Sequence, residues 1–119
     1  DSANFCRKFY FDDIDIFESF FIALLNRNNR IIGYAKISQG GVCSTVVDPS
    51  IVAKFAIDVL AKNVILCHNH PSGDKTPSEP DKNLTAKIKA GLKLFDITLL
   101  DHIIITSESY LSFADEGLL

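Results

Sequence analysis

Two histidines and a Ser/Asp pair lie close together within residues 66–81. His68 and His70 end an apolar run and are one residue apart, so the period of two in a strand places both imidazoles on one face. Ser78 and Asp81 are three residues apart at the start of a helical pattern and therefore share a helix face. Two imidazoles and one carboxylate are a common ligand set for a catalytic metal ion. The spacing therefore predicts a metal site.

Seven residues separate His70 from Ser78, enough for the chain to bring the start of the helix back over the histidines. We predict that one zinc ion is held by His68, His70 and Asp81, with water in the open fourth position. Zinc would acidify this water, and the Ser78 hydroxyl could donate a hydrogen bond to a developing oxyanion. Two alternatives stay open, because His-x-His pairs also occur in ordinary loops and Ser/Asp pairs also cap helices.

A hydrolytic site also needs a general base. Of the four glutamates in the chain, only Glu18 precedes the histidines. It stands at the head of an apolar segment, where a carboxylate is costly without solvent or a partner. By its position alone, Glu18 fits a surface charge where a strand begins better than it fits a base.

Three further residues near the motif have competing interpretations. His102 follows Asp101 in another apolar run, and its imidazole is either satisfied in the core or orients a metal ligand. Cys67 and Asn69 should face away from the histidines because neighbours in a strand point to opposite sides. We expect Cys67 to be a core residue and Asn69 to brace the loop that follows.

The composition limits the class of protein. A chain of 119 residues with 47% hydrophobic and 23% charged residues is sufficient for one domain with a core, which we place at residues 1–119. The net charge of −3 and the pI near 5.5 argue against a nucleic-acid partner, which would favour a basic surface. No apolar run approaches the roughly 18 residues of a membrane span.

The cysteines indicate the cellular location of the protein, and the first residue indicates whether the chain is part of a longer one. Cys6, Cys43 and Cys67 are odd in number and form no Cys-x-x-Cys pair, so we predict a reducing, cytoplasmic location. The chain begins at Asp1 and contains no methionine, so we expect it to be the C-terminal part of a longer protein.

Hydrophobic periodicity and turn residues predict an α/β domain with a mixed sheet. Asp48 followed by Pro49 marks one helix start, Gly40-Gly41 breaks a strand, and Asn63 is expected to close a helix. The predicted elements, in chain order, are a helix at 2–9, strands at 18–25 and 30–38, a helix at 49–62, a strand at 64–67, a helix from 79 to about 94, and strands at 97–106 and 110–114.

The motif resembles a known family. His68-x-His70, seven residues, Ser78, two residues and Asp81 is the pattern of the JAMM metalloproteases of the JAB/MPN domain family. The wider sequence is similar to the RadC branch of that family, from about residue 18 to residue 117. The matching segments are His-Asn-His-Pro-Ser-Gly at 68–73, Leu-Asp-His-Ile-Ile-Ile at 100–105 and Ser-Phe at 112–113.

The resemblance implies a fold and an activity. The fold would be the three-layer α-β-α JAB domain, similar in architecture to cytidine deaminases. The function would be a zinc metallopeptidase or isopeptidase acting on a peptide or protein substrate. The family's catalytic glutamate matches Glu18, because residues 18–26 fit the strand that follows it. The alternative is a non-catalytic, metal-stabilised binding module or a DNA-repair-associated accessory protein, as the RadC name suggests.

Overall fold

A mixed five-stranded sheet forms the centre of the structure, a computed structural model that describes residues 2–40 and 46–119. The predicted Gly40-Gly41 break and Cys43 fall partly or wholly outside the described residues. The described elements are α1 (Ser2–Arg7), a 3-10 helix (Asp12–Asp15), β1 (Ser19–Leu25), β2 (Ile31–Gln39), α2 (Pro49–Asp58), β3 (Asn63–Asn69), α3 (Glu79–Lys93), β4 (Thr98–Ile105) and β5 (Tyr110–Ser112).

The strand order is β2-β1-β3-β4-β5. β1 pairs antiparallel with both β2 and β3, and β5 pairs antiparallel with β4. β3 and β4 are parallel and are joined through α3. A single loop connects the end of β3 to the start of α3. That loop contains the segment in which the sequence predicts the site.

The strands separate two hydrophobic layers, because alternate side chains of a strand face opposite sides. In β1, Phe20, Ile22 and Leu24 pack on the side of α2 and α3, whereas Phe21 and Ala23 pack on the side of α1. Helices therefore cover both faces of the sheet. The three-layer α-β-α fold with a mixed sheet is confirmed.

The end of α2 differs from the prediction. The helix ends at Asp58 instead of residue 62, and Asn63 is the first residue of β3 instead of the residue that closes the helix. Leu60 adopts a left-handed conformation with φ of 55°. The Ala61 N–H donates to the Ala56 carbonyl at 2.9 Å, as in a Schellman ending. This end of α2 is hard to predict from the sequence, because leucine occupies the left-handed position where glycine is usual.

The other predicted helices and strands occur with ends shifted by two residues or fewer. Both predicted helix starts are capped: Asp48 accepts a hydrogen bond from the Ser50 N–H at 2.9 Å, and Ser78 caps α3. None of the helices in the described residues is long and apolar enough to cross a membrane.

Candidate metal centre

The two histidines of the motif meet at the end of β3. His68 lies within the strand, and His70 follows it and extends the pairing with β4 by donating its backbone N–H to the Ile105 carbonyl at 3.0 Å. The two imidazole Nε2 atoms are 2.9 Å apart. Because two bare lone pairs repel at this distance, a hydrogen or a cation must lie between the rings.

The loop after β3 fixes the ring of His70. Gly73 has a φ of 86° and donates its N–H to the His70 carbonyl at 3.0 Å, so the chain reverses direction there. The Asp74 carbonyl then lies 2.8 Å from His70 Nδ1. Since a carbonyl oxygen only accepts, Nδ1 carries the hydrogen, and Nε2 is the nitrogen directed toward His68.

Asp81 joins the histidines from the first turn of α3. Its backbone N–H donates to Ser78 Oγ at 3.1 Å, and its Oδ2 accepts from the Ser78 N–H at 2.9 Å, which makes a reciprocal capping box. The same carboxylate lies 3.2 Å from His70 Nε2 and 3.4 Å from His68 Nε2. The Ser/Asp pair is therefore a helix cap and also places Asp81 against both imidazoles.

The electrostatics of this cluster favour the ionised form of Asp81 and the protonated form of His70. Burial alone would raise the pKa of Asp81, but its contacts with His68 and His70 hold it well below its ordinary value. Burial would lower the pKa of His70, yet the contacts with Asp81 and the Asp74 carbonyl raise it. The cluster therefore strongly attracts positive charge.

Glu18 enters the site from the residue just before β1. Its side chain is buried, so the alternative of a surface charge at the head of the strand is wrong. Oε1 lies 4.0 Å from His70 Nε2. Glu18, His68 and His70 each offer a ligand atom within 4.8 Å of the others, and this group could bind a metal ion.

Asn69 holds the segment that carries Glu18. Its Nδ2 donates to the carbonyls of Ile14 and Phe17, both at 2.7 Å, and its Oδ1 accepts from the Ser19 N–H at 2.7 Å. The side chain points away from the histidines, as the sequence predicts. However, it braces the chain on both sides of Glu18 rather than the loop after His70. Asn69, which lies between the two histidines in sequence, thus connects the histidine segment to the segment that carries Glu18.

His102 is bonded to neighbours inside the core, next to the histidine pair. Its Nε2 lies 2.7 Å from His68 Nδ1, and its Nδ1 lies 2.6 Å from Thr85 Oγ1. Burial and the nearby His68 ring lower the pKa of His102 well below its ordinary value. Thr85 is not among the residues that the motif predicts, although its position four residues after Asp81 places both on one face of α3.

Cys67 takes no part in this cluster. It is fully buried on the α1 side of the sheet, where its Sγ lies 3.8 Å from the Tyr10 hydroxyl. The expectation that Cys67 is a core residue is confirmed.

Comparisons with known proteins identify the family. The sequence profile of the RadC-like JAB domain matches residues 1–118. The chain belongs to the RadC-like JAB domain family. The resemblance that the motif predicts is therefore confirmed for nearly the whole chain.

Curated bacterial proteins named UPF0758 are similar to this chain over most of its length. The chain is 46% identical over 101 residues to a UPF0758 protein of Flavobacterium johnsoniae, covering 85% of this chain and 44% of the relative. It is 43% identical over 102 residues to UPF0758 protein YfjY of Escherichia coli, covering 86% and 64%. A UPF0758 protein of Chlorobaculum parvum is 40% identical over 102 residues, covering 86% and 46%. The chain thus spans less than two thirds of each of these relatives.

Proposed function

We propose that this domain is a zinc-dependent peptidase or isopeptidase. His68, His70 and Asp81 would hold the zinc, Glu18 would act as the general base, and Ser78 would stabilise the oxyanion. The observation that carries the proposal is the meeting of two imidazole Nε2 atoms at 2.9 Å beside the Asp81 carboxylate. The family assignment adds support, and the sequence has all five residues of the motif that it resembles.

The donor set fits zinc in chemistry and in spacing. Ligand atoms about 2.0–2.1 Å from a tetrahedral zinc ion are roughly 3.3 Å from one another. The two Nε2 atoms are 2.9 Å apart, and the Asp81 carboxylate lies 3.2 Å from His70 Nε2 through Oδ2 and 3.4 Å from His68 Nε2 through Oδ1. A cation would also relieve the repulsion between the two ring nitrogens.

Two carboxylates border the imidazoles, and distance suggests different roles for them. Asp81 Oδ2 is 3.2 Å from His70 Nε2, whereas Glu18 Oε1 is 4.0 Å from the same nitrogen. The nearer carboxylate suits the third ligand position. The more distant one leaves space for a water molecule, and a base must reach the water it deprotonates.

The protein groups then have separate tasks in hydrolysis. A bound zinc ion would supply a Lewis acid that acidifies water and polarises the scissile carbonyl. Glu18 accepts a proton from the attacking water and passes it to the leaving amine. Ser78 Oγ accepts a hydrogen bond from the Asp81 N–H, so its own hydroxyl hydrogen can point to the developing oxyanion.

The proposal can be tested with metal analysis and a fluorogenic peptide library, using the wild type and Glu18→Gln. We expect about one zinc per chain in both proteins, because glutamine removes the base and leaves the proposed ligands intact. Cleavage should occur in the wild type and fall by at least about 100-fold in Glu18→Gln. A library of isopeptide-linked peptides, screened in parallel, distinguishes the two substrate classes.

The outcomes separate the proposal from its alternative. Freshly purified wild type without metal would refute the zinc site. Zinc with no cleavage in either library would favour a metal-stabilised binding module. Equal cleavage by wild type and Glu18→Gln would assign the base to another residue.

A further inference from the structure

A buried chain of hydrogen bonds leads from α3 to the back of the His68 ring. Thr85 Oγ1 lies 2.7 Å from the Asp81 carbonyl and 2.6 Å from His102 Nδ1. On the other side of the ring, His102 Nε2 lies 2.7 Å from His68 Nδ1. Thr85, His102 and His68 are all buried, so water does not replace any of these contacts. The proposed metal ligands and this chain thus form one connected unit.

The positions of the hydrogens in this chain follow from counting them. Each of the three contacts needs one hydrogen, and the Thr85 hydroxyl together with one ring N–H from each imidazole provides three. The Asp81 carbonyl has none, so the Thr85 hydroxyl must donate to it. The shared Thr85 oxygen then accepts from His102 Nδ1, and His102 Nε2 must accept from His68 Nδ1. His68 is left with a bare Nε2 directed at His70 and Asp81.

The surrounding packing holds both rings in these positions. The Phe113 ring stacks on His102 with centroids 4.6 Å apart and planes at 19°. The Phe20 ring lies nearly parallel to His68, with centroids 5.6 Å apart and planes at 10°. These apolar faces leave the ring nitrogens of His102 to bond along the chain, and the complete burial of the ring favours its neutral form.

We propose that Thr85 and His102 are positioning residues that fix the tautomer and orientation of His68, so that its Nε2 lone pair is available to a metal ion. The inference rests on the metal site of the proposed function. In this proposal, α3 contributes two groups to the site. The first turn of the helix supplies Asp81, and the next turn supplies the hydroxyl that sets the hydrogen positions behind His68.

Nitrogen NMR on histidine-labelled, metal-free wild type tests the hydrogen positions directly. We expect His68 to carry its hydrogen on Nδ1, and His102 to be neutral with its hydrogen on Nδ1. In Thr85→Val the acceptor for His102 Nδ1 is lost. The hydrogens should then move to His102 Nε2 and His68 Nε2, a change that a purely structural role for Thr85 would not produce.

Zinc affinity provides a second readout, with Thr85→Ser as the matched control. Serine retains the hydroxyl and valine retains the shape, so we expect Thr85→Val to lose about 10–100-fold in zinc affinity while Thr85→Ser stays near wild type. Chelator competition measures the affinities. Denaturant unfolding of the metal-free variants identifies any that fail to fold.

Two results would overturn the inference. One is a wild-type His68 that carries its hydrogen on Nε2 in the metal-free protein. The other is equal zinc affinity for folded Thr85→Val and Thr85→Ser. If the wild type binds no zinc, the proposed function fails, but the tautomers in the metal-free protein still decide whether Thr85 and His102 set the hydrogen on His68.

Discussion

Asp81 combines a structural contact with a contact in the proposed site. Its carboxylate accepts the Ser78 N–H at 2.9 Å, which stabilises the start of α3, and it contacts both histidines. Asn69 also serves two segments. It lies between His68 and His70 in sequence, and its side-chain amide donates hydrogen bonds to the segment that carries Glu18. At the scale of residues, the site is assembled by side chains that also hold the backbone in place.

The depressed pKa of Asp81 predicts an acid-dependent loss of stability. A carboxylate whose pKa is lower in the folded state contributes stability above its ordinary pKa of about 3.9 and loses it as the pH falls. In metal-free protein, we expect the free energy of unfolding to fall more steeply between about pH 4 and about pH 2 for wild type than for Asp81→Asn, because in this range Asp81 takes up a proton in the unfolded state before it does so in the folded state. Urea unfolding measures both slopes.

Asparagine is the matched control because its carbonyl oxygen can still accept the Ser78 N–H. The difference between the two proteins should therefore be larger at the higher pH. Parallel stability curves would contradict the assignment of the pKa shift to the histidine contacts.

The loop between β3 and α3 positions the site at the scale of elements. β3 and β4 are parallel, so the chain must cross over through α3, and the N-terminus of this helix returns beside the end of β3. The positive end of the helix dipole also favours the Asp81 carboxylate there. The connection of the elements thus places the third proposed ligand next to the first two.

The unusual end of α2 yields a prediction about stability. Leu60 is left-handed, with φ of 55°, and its side chain is 78% exposed, so it is strained without being packed. We expect Leu60→Gly to stabilise the protein by about 0.5–1 kcal/mol, because glycine adopts this conformation without steric cost. Leu60→Ala keeps the strain and should change stability by less. Chemical denaturation compares the three proteins, and a less stable Leu60→Gly would contradict the explanation.

The whole molecule brings together groups from distant parts of the chain. Glu18 precedes β1, the histidines end β3, Asp81 begins α3, and His102 lies in β4. β1, β3 and β4 are neighbours in the sheet, so these groups meet only when the sheet has formed. We therefore expect metal binding to be coupled to folding of the entire domain.

This coupling predicts that zinc raises the unfolding temperature. A ligand that binds only the folded state at about 100 times its dissociation constant adds about 2.7 kcal/mol of stability. We expect the rise in wild type and Glu18→Gln, its loss in Asp81→Asn, and its reversal by a chelator. Differential scanning calorimetry measures the shift. A rise kept by Asp81→Asn and lost by Glu18→Gln would make Glu18 the ligand.

The sequence by itself predicted the three-layer fold, nearly all of the elements and the family. Alternating and helical periodicities are local properties, and the motif has a specific spacing. The sequence also indicated that His68 and His70 share a face, because that follows from the period of a strand.

Tertiary structure decided what depends on contacts between distant segments. The burial of Glu18, the bonds of Asn69 to residues on both sides of it, and the chain from Thr85 through His102 to His68 join separate elements. No local pattern encodes such contacts, since each requires the packing of strands and α3 to bring its partners together. The sequence therefore determined which residues could bind a metal, and the tertiary structure decided which residues surround and orient them.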